Sequence, residues 1–413
     1  MHILFLTDNF PPESNAPASR TYEHAREWVA AGHKVTVITC APNFPQGKVY
    51  KGYRNRLWQS EMMDGIRVIR VWSFMSKNEG FVLRTLDYQS YMLTSFFASL
   101  FVRRPDVIIG TSPQFFTAVA AWAAAGFKRC PFVFELRDLW PESIRAVSGV
   151  SKSRLLDWAE KLELFLYRRA DMIVSVTHAF KRDLMVRGTI DEAKIKVVTN
   201  GVDSTRFSPT PKDAELLQDL QLTGMFVAGY VGTHGMAHGL DALLDAAALL
   251  QADPETADIR ILFVGDGARR AELIARAEEM GLTNVIFQAS VPKSEVVRYW
   301  SLLDMSIIHL RRTDLFKTVI PSKMFECFGM GLPILLGVAG EAADILSSVG
   351  AGVTVEPENA VEIAAALKAF KADPAARADL SEKGLTGVKR YDRRILAAAM
   401  LSHLETLAEE RQR

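Results

Sequence analysis

The sequence predicts an α/β protein built from two Rossmann-like domains, and three observations carry that prediction. The chain has 413 residues, enough for two domains of roughly 200 residues that each bury a core of their own. Short continuous apolar runs alternate with helical segments, the pattern of strands covered on both faces of a parallel sheet. Residues 2–38 read as strand, loop, helix, glycine and strand, which is one βαβ unit.

Bulk properties narrow the class. Hydrophobic residues make up 49% and charged residues 23%, the balance of an ordinary globular protein. The longest apolar runs, Tyr91 to Val102 and Phe115 to Phe127, are too short or too alanine-rich to span a bilayer. Met1-His2 leads straight into an apolar strand with no signal-peptide pattern. Cys40, Cys130 and Cys327 match no metal or disulfide spacing, so a reducing, cytoplasmic setting is expected. The net charge of +1 hides an asymmetry: residues 1–200 hold 27 basic and 19 acidic side chains, net +8, and the remaining 22 and 29 give −7. A basic first half suits an anionic partner.

Taken in order, Ile3 to Leu6 is a buried strand, Thr7 to Ser19 a proline-rich loop, Arg20 to Ala31 a helix and Val35 to Thr39 the next strand. Residues 42–62 read as irregular, and Gly65 to Val71 alternates as a half-buried strand. A helix from Phe81 to Val102 carries Phe96, Phe97, Leu100 and Phe101 and ends in Arg103-Arg104. Strands follow at 106–110, 131–135, 172–176 and 195–199, with a buried helix at 115–125. The first domain is read as 1–203, with 204–224 as a linker. A second series, 225–389, has strands at 226–231, 259–264, 285–288, 305–309, 334–337 and 352–355. Residues 390–413 form a last helix with no strand to follow.

The densest chemical signal is Val319 to Leu336. Pro321 suits a helix start, Ser322 an N-cap, and Gly331 with Pro333 a stop. First-turn amides at the positive end of a helix dipole bind anions, and Lys323 adds a full charge there. Glu326 lies on the same face about one turn, ~5 Å, further on. That layout fits a phosphate at the helix start with a sugar hydroxyl above it. The plainer alternative is an amphipathic helix with Lys323 and Glu326 solvated.

Two turns and one cluster add to it. Gly232-Thr233-His234-Gly235, continued by His238 and Gly239, joins a strand to a helix, where backbone amides can cradle phosphate. Gly265-Asp266-Gly267 is a tight turn, but Arg270 replaces the third glycine of a dinucleotide fingerprint. Glu135 to Glu142 gathers charge at the C-terminal end of a strand, where ligands of open α/β sheets bind. There Arg137 can meet a phosphate in bidentate fashion and Asp138 can hold a hydroxyl.

The run Pro321-Ser322-Lys323-x-Phe325-Glu326, continued by Gly331-x-Pro333-Ile334, resembles the donor segment of family-4 retaining glycosyltransferases. More narrowly, it looks like the bacterial surface-polysaccharide subgroup that includes N-acetyl-fucosamine transferases. The resemblance implies the GT-B fold, two Rossmann-like domains facing each other across a cleft, with the last helix crossing back to the first domain. It implies that Glu326 holds the ribose of a UDP-sugar, that Val291 lies where the base is read, and that Gly265 lies beside the nucleotide. Asn15 stands where relatives have a glycine near the donor phosphate. Thr318 stands where many have a second glutamate for the sugar, and His238 where many have a lysine. The expected activity is a retaining, metal-independent hexosyltransfer needing no cofactor, with Lys323, Arg137 and Asp138 as catalytic groups. Its acceptor would be a polyprenyl-linked saccharide of O-antigen, lipopolysaccharide or capsule assembly at an anionic membrane surface, with no nucleic acid involved. The rivals are a UDP-sugar 2-epimerase of the same architecture and a non-enzymatic sugar-binding protein.

Overall fold

The computed structural model describes residues 1–411 apart from 14, 45, 76–80, 113, 140–153 and 293. The chain divides into two compact units, one of residues 1–199 with 393–413 and one of residues 200–392. In the first, strands β1 (His2–Leu6), β2 (Lys34–Cys40), β3 (Trp58–Met63), β4 (Ile66–Val71), β5 (Val107–Thr111), β6 (Phe132–Leu136), β7 (Met172–Ser175) and β8 (Ile195–Val197) form one sheet. Its order is β3-β4-β2-β1-β5-β6-β7-β8, with every neighbouring pair parallel except β3 and β4.

That antiparallel pair corrects the irregular reading of residues 42–62. Asp64 and Gly65 take positive φ angles of 48° and 79°, a two-residue hairpin turn whose Asp-Gly pair was the signal to read. Helix α1 also starts earlier than the proline-rich loop suggested, spanning Ala16–Ala30. Asn15 caps it, accepting from the Ala18 amide at 2.9 Å, and Pro17 sits in the first turn, where a missing N–H costs nothing. The last helix, Arg393–Glu410, packs on α1: the Trp28 indole donates to the Ala397 carbonyl at 2.9 Å, and Arg393 pairs with Glu23 at 3.1 Å.

The second unit is all-parallel, in the order β11-β10-β9-β12-β13-β14. Its strands are β9 (Phe226–Val231), β10 (Ile259–Val264), β11 (Val285–Gln288), β12 (Met305–His309), β13 (Ile334–Gly337) and β14 (Gly352–Thr354). Period-2 alternation explains its unbroken apolar runs. On β9, Val227 and Val231 join the core on one face with Phe325 and Phe328, while Phe226, Ala228 and Tyr230 join the other with Phe263. Residues 204–224, expected as a linker, belong to this unit. Phe207 and Leu222 are buried in its core and Ala214–Asp219 is helical, because two large apolar side chains in that stretch had a core within reach.

Candidate functional site

The ends of β9 and β10 turn on glycines for a specific reason. Gly232, Gly265 and Gly267 have φ angles of 145°, 151° and 155°. A Cβ on Gly265 would stand 1.9 Å from the Gly232 carbonyl oxygen, and one on Gly267 would stand 2.5 Å from that of His234. The two turns therefore pack backbone against backbone: the His234 amide donates to Asp266 O at 2.8 Å and Arg269 to His234 O at 2.9 Å, while Gly265 donates to Gln288 O at the end of β11 at 3.1 Å. A Cβ on Gly232 would stand 2.6 Å from Lys323 Nζ, so the missing side chain is what admits the ammonium.

Lys323 opens the helix Lys323–Met330. Its Nζ is buried without a hydrogen-bond partner and lies 3.8 Å from the centroid of the Tyr230 ring. The ring quadrupole attracts the ammonium but accepts none of its protons as a strong hydrogen bond. Burial lowers its pKa to about 8, against the opposing pull of Cys327 and Glu326. A buried donor left unpaired is costly, and a phosphate oxygen would satisfy it. Glu326 is half-buried one turn along. Ser322 occupies the N-cap position, yet its side chain makes no capping bond; its own helical backbone angles (φ −59°, ψ −28°) differ from the extended ones a capping serine adopts. The amides of Met324 and Phe325 turn back on Pro321 and Ser322, so the open end presents those of Ser322 and Lys323.

The histidines are uncharged. His234, read from sequence as part of a phosphate-cradling turn, is fully buried with neither ring nitrogen hydrogen-bonded. It lies among Tyr230, Phe263 and Phe287, and burial, then Arg270 and Lys323, lower its pKa to about 4. His238 is lowered to about 3, again by burial first and Lys323 next. His309, which sequence reading passed over, locks the turn: Nδ1 bonds the His238 carbonyl at 2.7 Å and Nε2 accepts the Glu358 amide at 2.8 Å. That pair of bonds selects the neutral Nδ1–H form. The Arg270 Nε is also buried and unpaired. Positive charge at this turn thus comes from Lys323, Arg270 and the helix end, and not from the histidines.

The remaining sequence candidates fall in several places. Thr233 supplies a carbonyl to the Tyr230 hydroxyl at 2.8 Å, and the Gly235 carbonyl accepts from the His238 amide at 3.2 Å. Val291 packs its side chain on the core. The Thr318 hydroxyl donates to the Leu315 carbonyl at 2.6 Å within its own turn. Asn15, Arg137 and Asp138 belong to the other unit. Asn15, expected near the donor phosphate in place of a glycine, spends its side chain on the α1 cap and on Asn9.

Arg137 donates to the Pro17 carbonyl at 3.2 Å, and burial lowers its pKa to about 10 against the pull of Glu135. The Ser112 hydroxyl accepts from the Arg137 and Asp138 amides at 2.8 and 3.3 Å. Glu135 is fully buried against Arg20 at 2.9 Å, a pairing that 115 residues of separation hid from sequence reading. Trp140, Pro141 and Glu142 lie outside the described residues. Among the described residues, no group of three or more His, Cys, Asp or Glu is arranged to hold a metal ion.

Two doubly wound units in succession along the chain make the GT-B fold, and solved structures share it. A sucrose-phosphate synthase from Thermosynechococcus elongatus superposes with a TM-score of 0.75 at 16% identity, covering 98% of both chains. Anabaena Alr3699/HepE in complex with UDP gives 0.71 at 17% identity, covering 98% of this chain and 100% of that one. Residues 18–206 match the Glycosyltransferase Family 4 model and residues 214–386 that of Glycosyl transferases group 1; the chain belongs to the family-4 glycosyltransferases. It is 26% identical over 386 residues to the putative colanic acid biosynthesis glycosyl transferase WcaI of Escherichia coli (strain K12), covering 89% of this chain and 91% of that one. Over 203 residues it is also 26% identical to the putative teichuronic acid biosynthesis glycosyltransferase TuaH of Bacillus subtilis (strain 168), covering 49% of each.

Proposed function

We propose that this glycosyltransferase moves an N-acetylated 6-deoxyhexose from a UDP-sugar to a polyprenyl-linked saccharide, with retention and without a metal, in O-antigen or capsule assembly. The work would take place at the inner face of the cytoplasmic membrane. The observation that carries the donor half is the buried, unpaired Lys323 ammonium over Gly232. HepE, a structural neighbour, is known in complex with UDP-glucose, which supports a uridine nucleotide. Thr318, turned back on its own loop, puts no carboxylate where a sugar's hydroxyls would be gripped, and this favours a donor with fewer of them. The relatives named for colanic and teichuronic acid synthesis favour a surface polysaccharide.

In this reading the C1–O bond to UDP breaks with its electron pair going to the β-phosphate. Lys323 and the Ser322 and Lys323 amides stabilise the charge that develops there. The acceptor oxygen bonds C1 from the same face, and its proton passes to the leaving phosphate. Glu326 holds the ribose, while Arg137 and Asp138 serve the acceptor side. The test is to incubate the protein with a panel of UDP-sugars, a lipid-linked acceptor extract and EDTA, then determine the product's anomeric configuration. Transfer with retention is expected. A free 2-epimer, binding without turnover, or efficient transfer from UDP-glucose with no preference for N-acetylated donors would overturn the corresponding part.

A further inference from the structure

Helix α2 (Phe81–Leu100) wears its amphipathic pattern inside out. The side facing the sheet carries Tyr91, Ser95, Ala98 and Ser99, all buried. The side facing out carries Leu93, 53% exposed, and Phe97, 57% exposed, continued one turn on by Phe101, 80% exposed. These three are spaced by four residues and so form one stripe. At these exposures packing in the core does not account for them. Soluble proteins scatter exposed apolar side chains singly, and a contiguous patch marks an interface.

The patch extends beyond the helix. Trp58, at the edge strand β3, meets Phe101 edge-on at 6.3 Å between ring centroids, and Leu57 beside it is exposed. Lys128 Nζ donates to the Leu100 and Val102 carbonyls at 2.8 and 2.6 Å. That bond brings the end of helix α3 (Phe115–Lys128), with its exposed Phe127, beside the end of α2. Around these rings stand the exposed cations Arg56, Arg103, Arg104 and Arg129. Arg104 reaches the Arg129 carbonyl at 2.9 Å, which holds two of them together.

We infer that this face is where the first unit docks on an anionic lipid bilayer, the rings entering the headgroup layer and the arginines meeting lipid phosphates. The inference deepens, and rests on, the membrane half of the proposed function. Charge decides between occupants. Aromatic and leucine side chains ringed by arginine suit an interface that is apolar below and negative at its surface. A second copy of this chain on the same face would bring like arginine clusters together.

The test uses the full chain and phosphatidylcholine vesicles with or without phosphatidylglycerol. Flotation with the anionic vesicles at low salt is expected, with release at high salt and little binding to neutral ones. The triple variant Leu93→Ser/Phe97→Ser/Phe101→Ser should fold normally and lose roughly tenfold or more of the bound fraction, and Arg103→Gln/Arg104→Gln should shift release to lower salt. Equal flotation of wild type with both lipids, or undiminished flotation of the triple variant, would overturn the inference. A lipid-free dimer split by the triple variant would assign the face to a second copy and overturn it too. Flotation needs no turnover, so protein that floats but transfers no sugar refutes the proposed reaction and leaves this surface standing.

Discussion

The turn after β9 and the turn after β1 hold the same position in two copies of one βαβ plan, yet they leave opposite chemistry unsatisfied. After β9 the chain uses glycines packed backbone to backbone, and what remains unpaired in the interior are two cationic donors, Lys323 Nζ and Arg270 Nε, with the ring nitrogens of the neutral His234. After β1 the chain uses side chains. Asn15 caps α1, and Arg20 is spent on Glu135 and on the carbonyls of Val198 and Thr199. Glu13 accepts the Asn43 and Phe44 amides through Oε1. Its Oε2 is a buried acceptor with no partner, and burial raises its pKa to about 7 against those two bonds. One turn leaves donors that an anion would satisfy, and the other leaves an acceptor that a hydroxyl donor would satisfy. The shared fold sets where a ligand sits, and the leftover polar atoms set what kind.

The strongest way to break this contrast is to unpair the first unit's charges. Burial pushes the Glu135 carboxyl up, but Arg20 and Arg137 outweigh it and hold the group below its usual range. Glu135→Ala strands Arg20 in the interior, so unfolding free energy should fall by about 3–5 kcal/mol. A denaturant midpoint unchanged from wild type would show the pair to be dispensable.

Next in size is Lys323→Met, which keeps the apolar stem and removes the charge. If the charge acts chiefly as the pyrophosphate leaves, turnover should drop by about 10²–10³-fold while the affinity for UDP falls less. Equal losses in ground-state binding and turnover would reduce Lys323 to a binding residue.

Glu326→Ala should weaken UDP binding by about 1.5–3 kcal/mol, the worth of hydrogen bonds to a charged group, with no change in melting temperature. Calorimetry that finds wild-type UDP affinity would remove the ribose role.

The smallest effect is in pH. Lys323 has its pKa lowered to about 8, so above that value the unliganded protein loses the proton that an anion needs. UDP affinity should weaken as pH rises through 8, by about fourfold between pH 7 and 8.5, and the dependence should vanish in Lys323→Met. The same lowered pKa means the unfolded chain binds the extra proton between about 8 and 10.5, so this group's cost to stability fades as pH rises through that window. A wild-type affinity flat from pH 7 to 8.5 would contradict the lowered value.

Local pattern was enough for much of this protein. The strands of both sheets other than β3, the βαβ entry and the helix after Pro321 follow from period and punctuation, because a strand buried on two faces and a glycine-proline stop are written within a few residues. The Glu326 and Lys323 spacing is likewise a property of one helix. What the sequence withheld were long-range pairings: Arg20 with Glu135, His309 with the His238 turn, and the packing of Phe207 and Leu222 that made a supposed linker part of a core. Exposure was withheld as well, since Phe97 and Phe101 read the same whether they face a core or water. The burial that strips His234 and His238 of charge, and leaves Lys323 unpaired over Gly232, depends on which strands lie side by side. Periodicity acts through neighbours in the chain, whereas desolvation and pairing act through neighbours in space, and only the tertiary fold brings those together.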